Sequence, residues 1–423
     1  MEAVTDNTAF AKEKARPGYK KTKLGWIPEE WKMLPIKDLT TKIGDGLHST
    51  PRYSENTEYY FINGNNLVEN KILITENTKC VDEEEYLKHK KNLDNSTLFL
   101  SINGTIGNIA FYNNEKIVLG KSAAYLNIDS TNSKEYLAYQ LQTHTINNLF
   151  KRVSTGSTIK NLGLKEIQKI ELPIPPLPEQ QKIASILNTW DRAIAAQEQV
   201  IAQKQELKKG LMQELLTGKK RFDGFEGKWI KTELKEIGTI IRGASPRPKG
   251  DPRYYGGNVP RLMVKDVTRD GKYVTPKIDF LTEAGAAKSR PCKAGTLTIV
   301  CSGDVGVPSF LAVDACIHDG FLAIIDLNEK LIIPDFLYYQ LRRLRTRMER
   351  SATHGGVFTN LTTTILKEFI IEVPAIKEQL AIIALLSKTD KELEKEEFKL
   401  KSLNSQKQGL MQQLLTGVKR VKI

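Results

Sequence analysis

Gly210–Gly218 reads GLMQELLTG, and Gly409–Gly417 reads GLMQQLLTG, 199 positions later. With their flanks, KKGLMQELLTGKKR (208–221) and KQGLMQQLLTGVKR (407–420) agree at 11 of 14 positions, and self-similarity at a fixed offset marks a repeat architecture. The same offset carries Glu179-Gln180 onto Glu378-Gln379 and Asn161-Leu162 onto Asn360-Leu361. Further upstream, YLAYQL (136–141) pairs with FLYYQL (336–341), and SINGTIG (101–107) pairs with CSGDVGV (301–307), so that Gly104 and Gly107 match Gly303 and Gly306. Trp31 followed by IKDL (36–39) pairs with Trp229 followed by LKEI (234–237). The chain therefore reads as two copies of one unit behind a basic, poorly patterned tail at 1–24. The ends of the two copies are nearly identical while their beginnings share only landmarks, which suggests a common mounting for two divergent modules.

PIPPLPEQ (173–180) closes an extended segment and opens a helix, because proline breaks a strand ladder but suits a first helical turn. From Glu179 to Thr217 there is no proline, and apolar residues fall at Ile183, Ile186, Leu187, Trp190, Ile194, Val200, Ile201, Leu207, Leu211 and Leu215. This three-and-four spacing is that of a long helix with one seam, and Gly218 supplies its stop. The second copy repeats it from Glu378 with Ile382, Leu385, Leu386, Leu393, Leu400, Leu403, Leu410 and Leu414, closed by Gly417. A helix about 58 Å long, at ~1.5 Å per residue, cannot bury its seam alone. The other copy is the natural partner, with Glu396 and Leu403 suited to the weak points at Gln197 and Lys204. A two-fold relation between the copies would make the helices antiparallel. Gly210 and Gly409 each cost roughly 1 kcal/mol relative to alanine in a helix interior, and a cost written twice points to close approach by a partner rather than to a hinge.

The modules read as mixed α and β, with strand-like runs such as TLFLSI (97–102), AYLNID (124–129), TLTIVCS (296–302) and FLAIIDL (321–327). The expected fold class is α+β: two mixed α/β modules with twisted sheets, joined by two long helices pairing as an antiparallel coiled coil, with internal two-fold pseudo-symmetry. The expected segments are the tail at 1–24, a first module at 25–177, a long helix at 178–218, a second module at 219–376, and a second long helix with a C-terminal tail at 377–423.

Lys and Arg number 63 against 50 Asp and Glu, a net charge of +13. Such an excess favours a polyanionic partner, since each phosphate contact releases a condensed counterion. MEAVTDNTAF lacks the apolar stretch of a signal peptide, and no apolar run approaches the ~20 residues of a membrane span. The four cysteines form no CxxC pair and read as reduced thiols of a cytoplasmic protein. Cys301, Cys316 and His318 match no zinc spacing. No G-x-G-x-x-G opens a helix and no G-x-x-x-x-G-K-[ST] occurs. The Asn-Pro-Pro-aromatic tetrapeptide of amino-methyltransferases is missing, as is a nuclease carboxylate–lysine cluster. This composition suits a reader better than a catalyst.

Together, PIPPLPEQQKIASIL (173–187), VPAIKEQLAIIALL (373–386), STGSTIKNL (154–162), HGGVFTNL (354–361) and GWIPEEW (25–31), with two helices ending in GLMQxLLTG, resemble the specificity (S) subunit of type I restriction–modification systems. AIKEQ in the second copy departs slightly from PPLPEQ. The resemblance implies two target recognition domains, each reading half of a bipartite, asymmetric site on double-stranded DNA. It implies paired helices that set the separation and dock two methylation (M) subunits, with restriction/motor (R) subunits joining for cleavage. S-adenosylmethionine, ATP and Mg would then belong to those partners, and this chain would bind no cofactor. The competing readings are the recognition portion of a fused methyltransferase–nuclease and a structural coiled-coil adaptor.

Base and phosphate contacts need basic and polar side chains on loops. The first module offers Lys42, His48, Ser49, Arg52 and Tyr53, then Arg152, Thr155, Ser157 and Lys160. The second offers Arg242, Ser245, Arg247, Lys249 and Arg253, then Arg350, His354 and Thr359. Asn161 and Asn360 recur before leucine and fit caps as well as contacts. For partner docking, the duplicated stretches nominate Gly210, Leu211, Leu215, Gly409, Leu410 and Leu414.

Overall fold

Two long helices form where the seams require, spanning Leu177–Leu215 and Ile376–Leu414. Each begins and ends about two residues earlier than its apolar spacing alone suggests. Pro178 is accommodated in the first turn, where no backbone N–H is needed. Gly218 and Gly417 take left-handed φ values of +67° and +71°, the conformation that lets a chain leave a helix. The computed structural model describes residues 17–423 except 158, 356 and 357, with the side chains of 353–359 also outside the described set.

The chain divides into two units, Met1–Gln197 with Lys399–Ile423, and Glu198–Phe398. The division falls inside both helices, so each unit holds the start of one helix and the end of the other. In the first unit Lys407 donates to Asp191 and Arg420 to Glu179. One residue number falls as the other rises, so these segments run antiparallel. In the second unit Lys204 meets Glu392, Lys208 meets Asp390 and Arg221 meets Glu378, with the same sense. Ile183 and Leu187 share a buried cluster with Leu414 and Leu415. Met212, Leu215 and Leu216 share another with Ile382 and Leu386. Two apolar residues expected on the first seam lie off it: Val200 is 37% exposed and Leu207 is 60% exposed. Lys204 and Lys208 take facing positions instead and reach carboxylates on the second helix. Burial, with Arg342 nearby, pushes the Lys208 ammonium below the ordinary lysine range, while Asp390 works the other way.

Each unit carries two larger sheets, of four or five strands. In the first unit one sheet runs Ile109–Phe111, Thr97–Ser101, Ala123–Ile128, Thr40–Asp45. The second unit repeats that order with Pro308–Leu311, Leu297–Val300, Phe321–Ile325 and Thr239–Arg242, and adds Tyr273–Val274 beyond Pro308–Leu311. The central strands are buried on both faces, so their sequences read as continuous apolar runs. Leu98 and Leu100 turn toward the helices, while Phe99 turns toward the other sheet. That other sheet shares three strands between the units: a parallel pair (Ile117–Leu119 with Tyr59–Ile62; Ala315–Ile317 with Tyr255–Leu262) and an antiparallel neighbour (Cys80–Val81; Asp279–Leu281). The fourth strand differs. Tyr53–Ser54 joins beside Cys80–Val81, whereas Pro291–Cys292 joins beside Ala315–Ile317, on the opposite edge. The expected tail is also partly structured, because Tyr19–Thr22 and Gly25–Pro28 form a hairpin whose Tyr19 hydroxyl donates to the Gly417 carbonyl at 2.8 Å.

The duplicated Glu-Gln and Lys-Arg landmarks meet each other. Glu179, 1% exposed, accepts two hydrogen bonds from Arg420 at 2.8 Å and one from the Trp31 indole at 3.2 Å. Glu378, also 1% exposed, accepts from Arg221 at 2.8 and 2.7 Å. Each forked pair locks the start of one helix to the segment just past the end of the other. The neighbouring glutamines brace the same corners: Gln180 accepts from Ser133 N and Gln379 from Ile333 N, both at 2.8 Å. Gln140 and Gln340 donate to the terminal carbonyls of Leu415 and Leu216, at 2.7 and 2.8 Å.

Arg221→Met leaves the Glu378 carboxylate buried and unpaired and should destabilise the second unit by about 2–4 kcal/mol. Arg221→Met with Glu378→Leu should recover most of that loss, because the buried charge goes with its partner. Urea unfolding of the three chains checks this; equal costs for the single and double variants would contradict it.

Candidate nucleic-acid interface

Where the strands Thr40–Asp45 and Thr239–Arg242 end, a glycine lets each pass another backbone closely. A Cβ at Gly46 would lie 2.2 Å from the Leu119 carbonyl oxygen, and one at Gly243 would lie 2.1 Å from that of His318. Neither glycine has a left-handed φ, so the constraint is proximity and not backbone freedom. Leu47 N donates to Leu119 O at 2.6 Å, and Ala244 N to Ile317 O at 3.1 Å. These paired cradles launch the glycine- and proline-containing loops that carry the expected DNA contacts.

In the first unit His48 bonds Asp45 at 2.7 Å and is otherwise exposed. Asp45, His48, Asn103, Lys121, Asn161 and Gly163 line a polar hollow of about 210 Å³. The Asn103 Oδ1 atom is buried there without a hydrogen-bond partner among the described residues. Asn161 fixes the back wall through its backbone, exchanging bonds of 2.9 and 2.8 Å with Thr155, while Leu162 N donates to Ile102 O at 2.8 Å. The turn it leans on is the SINGTIG loop. Gly104 and Gly107, like Gly303 and Gly306 in the second unit, all have left-handed φ, as a matched pair of tight turns requires.

In the second unit the Arg242 guanidinium lies in the equivalent place, with Nε donating to Asp319 O at 3.1 Å and Nη2 to Asn360 Oδ1 at 3.3 Å. Ser245 donates to the Asp319 carboxylate at 2.6 Å, and Arg247 lies 3.6 Å from it. Three residues here were not among the expected DNA contacts. Arg261 is 5% exposed, with its guanidinium over the Tyr255 ring and 3.0 Å from Asp279, and its Nη1 lacks a partner among the described residues. Burial pushes His318 below the ordinary histidine range, and the Arg261 charge adds to this. Its Nδ1 accepts from Gly320 N at 2.8 Å, so the proton sits on Nε2. Asp319 supplies the third. No spacing signal marks these residues, because a parallel strand pair brings them together.

Other expected contacts sort into two groups. Lys42, Ser49, Arg152, Thr155, Ser157, Lys160, Lys249 and Arg350 are exposed. Arg52 and Arg253 are also exposed but already paired. Arg52 meets Asp82 and Glu84 at 2.8 Å each, bracing its loop against the helix Glu83–His89. Arg253 grips Asp251 within its own turn and holds that carboxyl down to about 2. Tyr53 packs edge-on to Phe61 with Lys79 over its face. His354 and Thr359 lie outside the described side chains.

Of the residues nominated for docking, Leu215 and Leu414 are core residues at 3% exposure, and Leu211 and Leu410 pack against the same cores. These four hold their units together from within. Gly210 and Gly409 alone are exposed, and a Cβ added at either would meet nothing within 4 Å. In the second unit a hollow of about 1520 Å³ opens beside this stretch, where Lys208, Met212 and Gln213 meet Lys272, Tyr338 and Arg342. Among the described residues no group of three or more His, Cys, Asp or Glu is placed to hold a metal, and no helix is long and apolar enough to cross a membrane.

Both repeats match one family model, the type I restriction modification DNA specificity domain, over residues 28–206 and 226–403. A Methanocaldococcus jannaschii protein, provisionally assigned as the type I restriction enzyme MjaX specificity subunit, is 27% identical over 96% of this chain and 97% of its own. The MjaVIII specificity subunit of the same organism is 24% identical over 94% of each chain. Among solved structures, one described under complex assembly and conformational transition of the type I R-M system aligns with a TM-score of 0.59 at 16% identity, covering 92% of this chain and 99% of that one. The S subunit of a type I system from M. genitalium aligns with a TM-score of 0.53 at 16% identity, over 93% and 96%. The duplicated helices and the two sheet frames are thus those of a shared fold, and the chain belongs to the type I restriction modification DNA specificity family.

Proposed function

We propose that this chain reads a bipartite, asymmetric site on double-stranded DNA, one half with each module, and that it docks two methylation subunits and, for cleavage, restriction subunits. In this reading it performs no chemistry itself. S-adenosylmethionine, ATP and Mg act on the partners, and the complex works in the cytoplasm. The observation that carries it is a shared frame with divergent rims. Topology, glycine cradles and Glu–Arg pairs repeat between the units, while the side chains around the cradles do not. A structural adaptor would have no use for two such rims. The docking part rests on Gly210 and Gly409, which no contact within their own units explains.

Co-expression with the methylation partner and genome-wide mapping of methylated adenine tests the reading. A bipartite motif with a fixed gap is expected, and a continuous motif would refute it.

Exposed and unpaired lysines should contribute counterion release, and paired arginines should not. Lys160→Ala should lower the slope of log affinity against log salt by about one, uniformly across sequences. Arg52→Ala should leave the slope unchanged, because Asp82 and Glu84 already neutralise its charge.

Gly210 and Gly409 are exposed and leave open space around an added Cβ, so replacing both by leucine removes a helix penalty of roughly 1 kcal/mol at each site. The variant should unfold at higher denaturant yet co-purify with fewer than two methylation subunits. An unchanged ratio of two would place docking elsewhere.

A further inference from the structure

The hydrogen-bond registers of the two units define which residues stand in the same place. Leu98 faces Leu126 and Leu100 faces Ala124 in the first unit, as Leu297 faces Ile324 and Ile299 faces Leu322 in the second. Ala124 in turn pairs with Asp45, and Leu322 pairs with Arg242. The next residues are the cradle glycines, Gly46 and Gly243. The bonds from Leu47 to Leu119 and from Ala244 to Ile317 then match Lys121 with Asp319. One backbone frame thus carries Asp45 and Lys121 in the first module, and Arg242 and Asp319 in the second. The charges at both positions are exchanged.

This exchange is not one salt bridge turned around. Asp45 takes its hydrogen bond from His48, and Arg242 uses the Asp319 backbone carbonyl and the Asn360 side chain. Both side chains are half-buried at the mouth of the cradle, and each is held by neighbours that leave hydrogen-bonding capacity over. Asp45 has two carboxylate oxygens and one bond; Arg242 has five donor hydrogens and two bonds. The hollow at Asp45 also contains the Asn103 Oδ1, which has no donor among the described residues. A purely structural position has no reason to reverse its sense while the surrounding backbone stays fixed. A reading position does, because bases differ in where they donate and accept.

We propose that Asp45 and Arg242 are matched base-reading side chains of opposite sense, resting on the reading that each module recognises one half-site. Asp45, an acceptor, selects a base presenting an exocyclic amino group, cytosine or adenine. Arg242, a donor fork steadied by Asp319 and Asn360, selects guanine through O6 and N7. His48 positions Asp45 through its hydrogen bond, and the Lys121 ammonium on the same hollow offsets the carboxylate charge near phosphates.

The test uses the full chain co-expressed with its methylation partner, read by methylated-adenine mapping and by binding of the purified complex to duplexes substituted base by base. Arg242→Gln should lower discrimination at a single guanine by about 10- to 100-fold and shift it toward adenine, with the other half-site unchanged. Asp45→Asn should shift a cytosine position in that other half toward adenine. If the base is adenine, Asp45→Asn keeps it and Asp45→Ala relaxes it. Arg242→Lys keeps the charge while removing the fork. It should relax the same guanine with an unchanged salt slope, and it serves if Arg242→Gln melts early. An Asp45→Ala or Arg242→Gln variant that keeps the parental motif and affinity, or one that weakens all sequences alike, overturns the proposal. A parental complex with no bipartite motif would instead defeat the reading beneath it, whatever the variants do.

Discussion

A carboxylate taken out of water is tolerable only if a cation and further donors meet it, and this chain buries two at the first turns of its long helices. Glu179 and Glu378 are each 1% exposed, and each is gripped by an arginine from the far copy of the repeat. Removing either arginine leaves a buried carboxylate with no ion pair among the described residues, so the helix start and the opposite helix end stand or fall together. The remaining landmarks gather around these points. Gln140 and Gln340 bond the terminal carbonyls, Tyr139 and Tyr339 reach Asp191 and Asp390, and Lys407 and Lys208 complete the same two acids. Partly charged contacts in the helix pair favour one register over its neighbours, because sliding by a turn would separate every pair at once.

The helices and the repeat were legible in the sequence because they obey local rules. A three-and-four spacing, prolines at one end and a glycine at the other suffice to place Leu177–Leu215 within two residues. The burial pattern along them was less legible. Val200 and Leu207 carry the spacing but face solvent, since Lys204 and Lys208 have carboxylate partners that only the pairing reveals. The leucines of GLMQxLLTG are duplicated, as a docking surface would be, and in both units they pack into or against an equivalent core.

The recognition rims were read only in part, and the reason is geometric. Arg52 and Arg253 share a Pro-Arg-Tyr context, yet the carboxylates that occupy them lie 30 residues away in one case and two in the other. Asp45, Lys121, Arg261 and Asp319 carry no motif at all, and Asn103 lies in the SINGTIG landmark without any mark of a contact. They converge because a parallel strand pair and a glycine cradle bring separate segments side by side. The two modules also moved their fourth strand to opposite edges of the smaller sheet, which changes the outer surface without touching the inner frame. Divergence of this kind hides a common register from any comparison of letters.

The division of the chain inside both long helices has a consequence for synthesis. Glu198–Phe398 is one continuous stretch, so the second unit has all of its parts as soon as those residues leave the ribosome. The first unit does not, because it needs Lys399–Ile423, and its Tyr19 hydroxyl bonds a carbonyl 398 residues downstream. Closing so long a loop is slow and entropically costly until the intervening chain has folded and drawn its ends together. The unit made first is therefore the one completed last, and the Glu179 carboxylate waits for its arginine, and Ile183 and Leu187 for Leu414 and Leu415, until Lys399–Ile423 arrive.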